Sequence, residues 1–86
     1  MARRPIKEIT NLKQRKLATN FKNNLVLIRQ RLSLRQIDVA QKCTLSLKYI
    51  ADIEQGNSGN PTIETICEVA KGLGIKDPLE LLQNSS

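Results

Sequence analysis

Residues 33–56 read SLRQIDVAQKCTLSLKYIADIEQG, and this stretch decides the fold. Ser33 and Gln36 have the S-x-x-Q spacing of a capping box, which predicts that a helix begins there. Ser46 is suited to cap a further helix, and Gly56 supplies the left-handed residue that ends it. The stretch therefore predicts two short helices joined by a tight turn, the first running to about Cys43.

Helical signals continue on both sides of this stretch, and no convincing strand signal appears. An apolar stripe predicts a first helix that reaches back to about Leu17; its members are Phe21, Leu25, Ile28 and Leu32. Thr62 is suited to cap a fourth helix, and Gly74 ends it. The inward side chains predicted for the second, third and fourth helices are Val39, Ala40, Cys43, Ile50, Ile53, Ile63, Ile66, Ala70 and Leu73.

The end of the chain carries one more helix signal. Asp77 and Pro78 are a cap and a first-turn proline, which open a short fifth helix through Leu82. The whole pattern predicts an all-α protein, a compact domain of five helices around one small core. The chain has 86 residues, which is enough for one such domain and no more.

Positive charge is concentrated at the start of the chain. The 14 Lys and Arg residues exceed the 8 Asp and Glu residues, and a net charge of +6 suits a polyanionic partner. Residues 1–16 carry +5 of this charge and residues 17–86 only +1. We predict a basic N-terminal arm over residues 1–16, extended over its first ten residues, with Arg3, Arg4 and Lys7 as candidate contacts. A disordered, solvated tail is the alternative.

Missing residue types exclude several classes of chemistry. The chain has no His, which excludes His-based acid–base catalysis and His-dependent nucleophiles. Cys43 and Cys67 are too few for a disulfide scaffold or a tetrahedral metal cage, and we expect both to be buried and reduced. Only Phe21 and Tyr49 are aromatic, whereas single-strand binders stack bases on aromatic platforms. The sequence indicates no enzyme, no cofactor and no metal site.

Two short helices joined by a tight turn, in a small basic all-helical domain, match the helix-turn-helix arrangement. The stretch from Phe21 to Leu82 also resembles the phage repressor and Cro type of helix-turn-helix domain, the XRE-like family. The motifs that carry the resemblance are QIDVA (36–40), YIADIEQG (49–56), NPTIET (60–65) and AKGLG (70–74). The controller proteins of restriction–modification systems are similar in length and in the shape of the fourth and fifth helices.

The resemblance implies roles for three residues near the turn. Gln36 matches the glutamine at the start of the second helix, which meets a DNA phosphate in the family. Its alternative role is the capping partner of Ser33. Arg29 and Glu54 match a family ion pair that ties the first helix to the third. This pair is expected to be structural, with an indirect effect on DNA placement.

We expect the exposed face of the third helix to contact the DNA bases. The candidate residues for these contacts are Ser46, Leu47, Lys48, Ala51 and Asp52. Lys48 can donate to guanine, Leu47 can cover a thymine methyl, and Asp52 can accept from cytosine. The candidates for phosphate contacts are Arg35, Gln36, Asn57, Ser58, Asn60 and Thr62. For each residue the alternative is an ordinary exposed side chain or a plain loop. Tyr49 is expected at the helix edge with its hydroxyl in water.

Three positions depart from the family pattern. Thr44 stands where the turn often carries Gly, which predicts a distorted turn or different dihedral angles. Arg35 occupies the usual capping position of the second helix, which shifts the expected start toward Ser33. Ile37 stands where a polar residue is common, and it is expected either to pack under residues 1–16 or to reach DNA.

These observations predict a transcription regulator that binds double-stranded DNA sequence-specifically, as a homodimer on a palindromic operator, with the third helix in the major groove. The dimer surface is expected on the fourth and fifth helices; its candidates, each of which could equally be core, are Val69, Ile75, Leu79, Leu81 and Leu82. The alternative is a module that binds a protein, such as a toxin or a transcription-machinery component, with weak non-specific DNA binding. No apolar run is long enough to span a bilayer, so we expect a cytoplasmic, nucleoid-associated protein without a membrane partner.

Overall fold

A computed structural model describes the backbone of residues 6–84 and the side chains of residues 11–84. Its elements in chain order are α1 (Ile6–Arg31), α2 (Gln36–Gln41), α3 (Leu47–Gln55), α4 (Ile63–Leu73) and a 3₁₀ helix (Pro78–Leu82). Residues 6–84 contain no strand, so the all-α prediction is confirmed for them. The predicted fifth helix is a five-residue 3₁₀ helix, which gives four α-helices instead of five helices of one kind.

Helix α1 begins far earlier than the apolar stripe predicted. It runs for 26 residues from Ile6, a length of about 39 Å, so the extended conformation predicted for the first ten residues is wrong from Ile6 onward. Residues 6–20 contain no Gly or Pro and are rich in straight-chain helix formers, which allows the helix to continue beyond the core. Residues 11–17 are all exposed, and Phe21 is the first buried side chain among those that the structure describes from residue 11 onward.

The junction between α1 and α2 corrects the predicted capping box. Ser33 has a φ of 56° and ends α1, where the amide of Leu34 donates to the carbonyl of Arg29 at 3.0 Å. A left-handed residue cannot also take the extended conformation of an N-cap, so Ser33 does not open α2. Arg35 does so instead, and the carboxylate of Asp38 accepts a hydrogen bond from its backbone amide at 2.7 Å.

The caps predicted for α3 and α4 are confirmed. The hydroxyl of Ser46 accepts from the amide of Tyr49 at 3.1 Å, and the hydroxyl of Thr62 accepts from the amide of Thr65 at the same distance. Gly56 ends α3 with a φ of 79°. Gly74 ends α4 in the same left-handed conformation. Because these signals act within one helical turn, the bounds of both helices follow from the sequence.

One apolar core joins all five elements; its buried members are Phe21, Leu25, Val39, Ile50, Ile53, Val69, Ala70, Leu73 and Leu81. Val69 and Leu81 are therefore core residues and not surface candidates for a dimer. Ile63, predicted to face inward, is 80% exposed because it is the first residue of α4. Cys67 is exposed and Cys43 half-buried, so the prediction of two buried cysteines is wrong.

Helix α4 approaches α2 closely at Gly72. A Cβ atom at this position would lie 2.7 Å from the carbonyl oxygen of Val39 and 2.8 Å from its Cγ1 atom. Gly72 is buried in the last turn of α4, where glycine is otherwise less favourable than alanine, so the contact explains why a side chain is absent there. The close spacing between α2 and α4 thus depends on the absence of a side chain at Gly72.

We expect Gly72→Ala to lower the free energy of unfolding by about 1–3 kcal/mol, the usual cost of overpacking a core. This clash outweighs the gain of up to about 1 kcal/mol that alanine brings to a helix interior. Urea unfolding followed by circular dichroism measures the change. Glu64→Ala, on the exposed side of the same helix, is the control and should leave stability within about 0.5 kcal/mol. A Gly72→Ala protein as stable as the wild type would contradict the close contact.

Candidate nucleic-acid interface

The carboxylate of Glu54 joins three helices. It accepts two hydrogen bonds from the guanidinium of Arg29, Nε to Oε2 at 2.6 Å and Nη2 to Oε1 at 2.8 Å. The side chain of Gln36 donates to the same Oε1 atom at 3.0 Å. Arg29 belongs to α1, Gln36 begins α2, and Glu54 lies near the end of α3. We call these three side chains the Glu54 node.

The node is largely shielded from water. The side chains of Arg29 and Glu54 are only 15% and 8% exposed. A third bond, from Nη1 of Arg29 to the carbonyl of Leu34 at 2.9 Å, fixes the guanidinium against the α1–α2 junction. The hydrogen bond to Glu54 raises the pKa of Arg29 above its usual value, against the opposing effect of burial. The pair expected from the family resemblance thus sets the angle at which α3 leaves the other helices.

The structure gives the side chain of Gln36 a partner that the sequence did not indicate. Its amide nitrogen donates to Glu54, and Ser33 is not its capping partner. The expected phosphate contact of Gln36 remains a prediction, and it has to share this nitrogen with Glu54 or use the amide of the backbone. The neighbouring Arg35 is free of the core, since its side chain is 78% exposed.

Arg35 is held on the surface by Asp38. The guanidinium donates from Nη2 to Oδ1 at 3.0 Å and from Nε to Oδ2 at 3.2 Å. These bonds, together with the bond from the backbone amide of Arg35, hold the pKa of the Asp38 carboxyl below its usual value. The guanidinium therefore stands at the start of α2 in a defined position, with most of its surface open to a phosphate.

Helix α3 presents one open face and buries the other. Ile50 and Ile53 lie in the core, as the sequence predicted. Its candidate readout residues divide by exposure: Ser46, Leu47 and Lys48 are exposed, whereas Ala51 and Asp52 are half-buried. Leu47 is 43% exposed, so its apolar side chain is open to a partner. The most accessible part of the helix is thus its first turn.

The turn before α3 is anchored by a residue that sequence reasoning missed. The backbone amide and the hydroxyl of Thr44 both donate to Oε1 of Glu68 in α4, each at 2.8 Å. These two bonds, the backbone bond first, hold the pKa of the Glu68 carboxyl below its usual value. Thr44 does not take a left-handed conformation, so the expected cost of a β-branched residue there does not arise. No local signal reveals a contact across 24 residues.

The candidate phosphate contacts in the α3–α4 loop lie directly beyond the end of α3. Asn57 and Asn60 are exposed, and Ser58 is half-buried. Thr62 is exposed, but its hydroxyl already accepts the cap bond of α4 and lies 3.0 Å from the hydroxyl of Thr65. These residues lie between the C-terminus of α3 and the start of α4.

Two further side chains have partners that local spacing did not predict. Asn24 is buried in α1 and donates to the carbonyls of Leu81 and Gln83 at 2.9 and 2.8 Å, which ties the 3₁₀ helix to α1. The hydroxyl of Tyr49 lies 3.3 Å from that of Thr65, so it has a protein partner and not only water. Both contacts join segments at least 16 residues apart.

Some predicted features fall at the edge of what the structure describes. Arg3 and Arg4 lie outside the described residues, as does the side chain of Lys7. Ile37 is half-buried in α2.

Within residues 11–84, no three Cys, Asp or Glu side chains come close enough to hold a metal ion. The part of the chain that the structure describes has no helix that could span a bilayer.

We expect Glu54→Leu to lower the free energy of unfolding by about 3 kcal/mol, because it leaves the guanidinium of Arg29 shielded from water without a counter-charge. The double variant Arg29→Met/Glu54→Leu should be more stable than Glu54→Leu alone, since neither charge then remains. Urea unfolding of both single variants and of the double variant measures the coupling. If the two single effects simply add in the double variant, the Glu54 node is not the constraint described above.

Acid should weaken the anchor of the turn. A carboxyl whose pKa is lowered by folding stabilises the protein above its unfolded value, about 4.3 for Glu, and this stabilisation is lost as the pH falls through the folded value. We expect Glu68→Gln to reduce the loss of stability below about pH 4.3. Thr44→Ala removes the hydroxyl donor but keeps the backbone donor. The stability of this variant should therefore fall more in acid than the stability of Glu68→Gln. Parallel stability–pH curves for wild type and Glu68→Gln would contradict the assignment.

The comparisons with known proteins agree with this architecture. A family model described as helix-turn-helix matches residues 25–81, which includes all of α2, α3 and α4 and the turn between α2 and α3. Neither the curated proteins nor the solved structures gave a significant match. Because the matched residues make up most of the chain, the family is established. The chain belongs to the XRE-type helix-turn-helix family of DNA-binding regulators.

Proposed function

We propose that this protein is a transcription regulator that binds double-stranded DNA sequence-specifically, with α3 in the major groove. The observation that carries the proposal is the open first turn of α3, held at a fixed angle by the Glu54 node and by the bonds from Thr44 to Glu68. A helix with its side chains is about as wide as the major groove. Such a protein would act in the cytoplasm, on the nucleoid.

Three side chains of α3 have chemistry that suits different bases. Lys48 can donate to O6 and N7 of guanine, Leu47 can cover the methyl group of thymine, and Asp52 can accept from N4 of cytosine. Ser46 uses its hydroxyl oxygen as the acceptor of the cap bond, which leaves its proton to donate to a base. Lys48 and Leu47 are exposed and have no capping role, whereas Asp52 is half-buried, and we assign Lys48 and Leu47 the main part of the discrimination.

Phosphate contacts from residues outside α3 would hold this helix in register. Arg35 and Gln36 stand at the start of α2, and the loop contributes Asn57, Ser58, Asn60 and Thr62. Such contacts position the protein without reading sequence. The +5 charge of residues 1–16, including Arg3, Arg4 and Lys7, would add non-specific attraction to the backbone or to the minor groove.

A homodimer would give this small domain useful specificity. One α3 helix contacts few base pairs, and a two-fold dimer doubles the readout on half-sites about one helical turn apart. We propose a palindromic operator, and a dimer surface on α4 and the 3₁₀ helix. Of the candidates named for that surface, Leu79 is 64% exposed, and Ile75 and Leu82 are partly buried against the core.

The second candidate function is a helix-turn-helix module that binds a protein, such as a toxin or a transcription-machinery component. Two observations favour it: residues 17–86 carry a net charge of only +1, and the exposed face of α3 combines a single Lys with the apolar Leu47. This function would give DNA binding that is weak and indifferent to sequence.

Selection from a random pool of DNA duplexes at fixed, near-physiological salt separates the two functions. The proposed regulator should enrich a palindrome whose half-sites lie about 10 base pairs apart. The protein-binding module should enrich nothing and should bind every duplex with similar affinity. Recovery of an unchanged pool from full-length protein would overturn sequence-specific recognition.

Lys48→Ala tests the assignment of α3 to base readout. We expect it to reduce discrimination at one position of each half-site by about 1–3 kcal/mol, because one donor to guanine is lost. Competition binding with single-base variants of the selected duplex measures the loss. Lys76→Ala removes the same charge from an exposed position before the 3₁₀ helix and should keep the full base preference. Equal effects of the two variants would show that Lys48 acts through charge alone.

The basic arm should appear in the salt dependence of binding. Each lost phosphate contact flattens the slope of log affinity against log salt by about 0.9, so Arg3→Gln/Arg4→Gln/Lys7→Gln should flatten it by up to about 2.7. Affinity titrations between low and physiological salt measure the slope. The control Lys76→Gln should leave it unchanged. An unaltered slope in the triple variant would contradict a role for the arm in DNA binding.

A further inference from the structure

A cleft lies between α1 and the loop that joins α3 to α4. Its volume is about 270 Å³, and its lining includes Thr19 and Lys22 of α1 together with Ser58 and Gly59 of the loop. Lys22 and Ser58 are half-buried, and Thr19 is exposed. One wall of the cleft thus contains Ser58, which the proposed function assigns to a phosphate contact, and the facing wall belongs to α1.

The ammonium group of Lys22 lies beside the end of α3. A Cβ atom on Gly56, the residue that ends this helix, would be 3.5 Å from Nζ of Lys22. The C-terminus of a helix carries a partial negative charge, which repels a phosphate. The charge of Lys22 offsets this repulsion at the point where the chain enters the loop. Lys22 therefore makes the electrostatic potential at the cleft more favourable for an anion.

The polar groups around the cleft are available to a ligand. None of the ion pairs within residues 11–84 includes Lys22. The side-chain hydrogen bonds within the same residues do not use the hydroxyls of Thr19 or Ser58. Among these residues no buried side-chain nitrogen or oxygen lacks a partner, so the ammonium of Lys22 and the hydroxyl of Ser58 reach solvent.

The two segments that form the cleft carry charge of one sign. Residues 11–31 of α1 contain six basic side chains and no acidic one. Residues 56–62, which form the loop, contain no charged side chain. An anion that approaches along either segment therefore meets no carboxylate from that segment. Such a surface attracts a polyanion and gives no preference for a basic partner.

Three basic side chains follow one face of α1 at a spacing of seven residues, namely Arg15, Lys22 and Arg29. Seven residues are close to two helical turns and span about 10 Å. Arg29 bonds to Glu54 in α3, and Lys22 lies beside the end of the same helix. Arg15 continues this line beyond Lys22, where it is exposed and makes no ion pair within residues 11–84. The face of α1 that meets α3 thus extends past the cleft as a positively charged surface.

We propose that a phosphate of the DNA backbone binds at this cleft, with the ammonium of Lys22 and the hydroxyl of Ser58 as donors, and that Arg15 contacts a further phosphate along the backbone. The proposal rests on the DNA binding of the proposed function and deepens it by adding α1 to the DNA surface. Arg15 and Lys22 precede residue 25, where the match to the helix-turn-helix family begins. Because both belong to a continuous helix, their backbone is already ordered before DNA binds, which lowers the cost of the contact.

The salt dependence of duplex binding tests the contact. Lys22→Gln should flatten the slope of log affinity against log salt by about 0.9 and lower the affinity about fivefold at about 0.15 M salt, because one phosphate contact is lost. Lys22→Arg keeps the charge and should keep the wild-type slope. Lys13→Gln is the matched control: Lys13 is exposed on the same helix, nine residues before Lys22 and therefore on the opposite face, and its loss should leave the slope unchanged.

A purely structural role of Lys22 at the end of α3 would give a different result. Lys22→Gln would then lower the free energy of unfolding, measured in urea, and would leave the salt slope at its wild-type value. This outcome would overturn the phosphate contact. Equal flattening by Lys22→Gln and Lys13→Gln would also overturn it, because the effect would then come from overall charge and not from one face of α1.

Duplexes in which a single phosphate is replaced by an uncharged methylphosphonate locate the contact. At one backbone position the replacement should weaken binding by the wild type and cause no further loss in Lys22→Gln, since both changes remove the same interaction. A second position should show the same relation to Arg15→Gln. If the effect of Lys22→Gln simply adds to that of every replacement, Lys22 binds no phosphate and the proposal is wrong.

The slope experiment separates this proposal from the proposed function, because it can be done with a duplex of any sequence. An unaltered slope in Lys22→Gln, from a protein that enriches a palindrome, would overturn the cleft contact and leave sequence-specific regulation standing. A slope flattened by Lys22→Gln, from a protein that enriches no sequence, would overturn sequence-specific recognition and leave the backbone contact standing.

Discussion

The placement of α3 depends on one carboxylate. Glu54 receives two hydrogen bonds from Arg29 and one from Gln36, and thereby fixes three helices relative to one another in a largely shielded position. Few other contacts in such a small domain can set this angle, since α2 has only six residues and buries a single side chain. Removing the acceptor would leave a cation without a partner, so the fold and the orientation of α3 are coupled.

The Glu54 node also limits what the surface can do. The side-chain amide of Gln36 donates to Glu54 inside the protein. The exposed guanidinium of Arg35 is therefore the group at the start of α2 that is most open to a phosphate. On the other side, Glu68 holds the turn through Thr44 and fixes where the first turn of α3 begins. Fixed donors of this kind need little reorganisation on binding, which favours specific recognition over loose contact.

Much of this architecture could be predicted from the sequence because its signals are local. The caps Ser46 and Thr62 and the left-handed Gly56 and Gly74 act within one turn and set the bounds of α3 and α4. Ser33 misled the prediction because the same residue type caps one helix or ends another, and only the packing of α1 decides between them. The burial of single side chains was less predictable, as the exposed Ile63 shows, because burial depends on neighbours far away in the chain.

The candidate site also has some features that the sequence predicts and others that only the structure shows. The Arg29–Glu54 pair and the face of α3 followed from motif and periodicity, whereas the long α1 and the role of Glu68 required the structure.

The central claim is that the first turn of α3 and its flanks form the DNA surface. Amide chemical-shift changes in labelled protein, recorded as a selected duplex is added, test it most directly. The account predicts the largest changes in residues 35–36, 46–52 and 57–62. Changes confined to α4 and the 3₁₀ helix, with α3 unaffected, would contradict it.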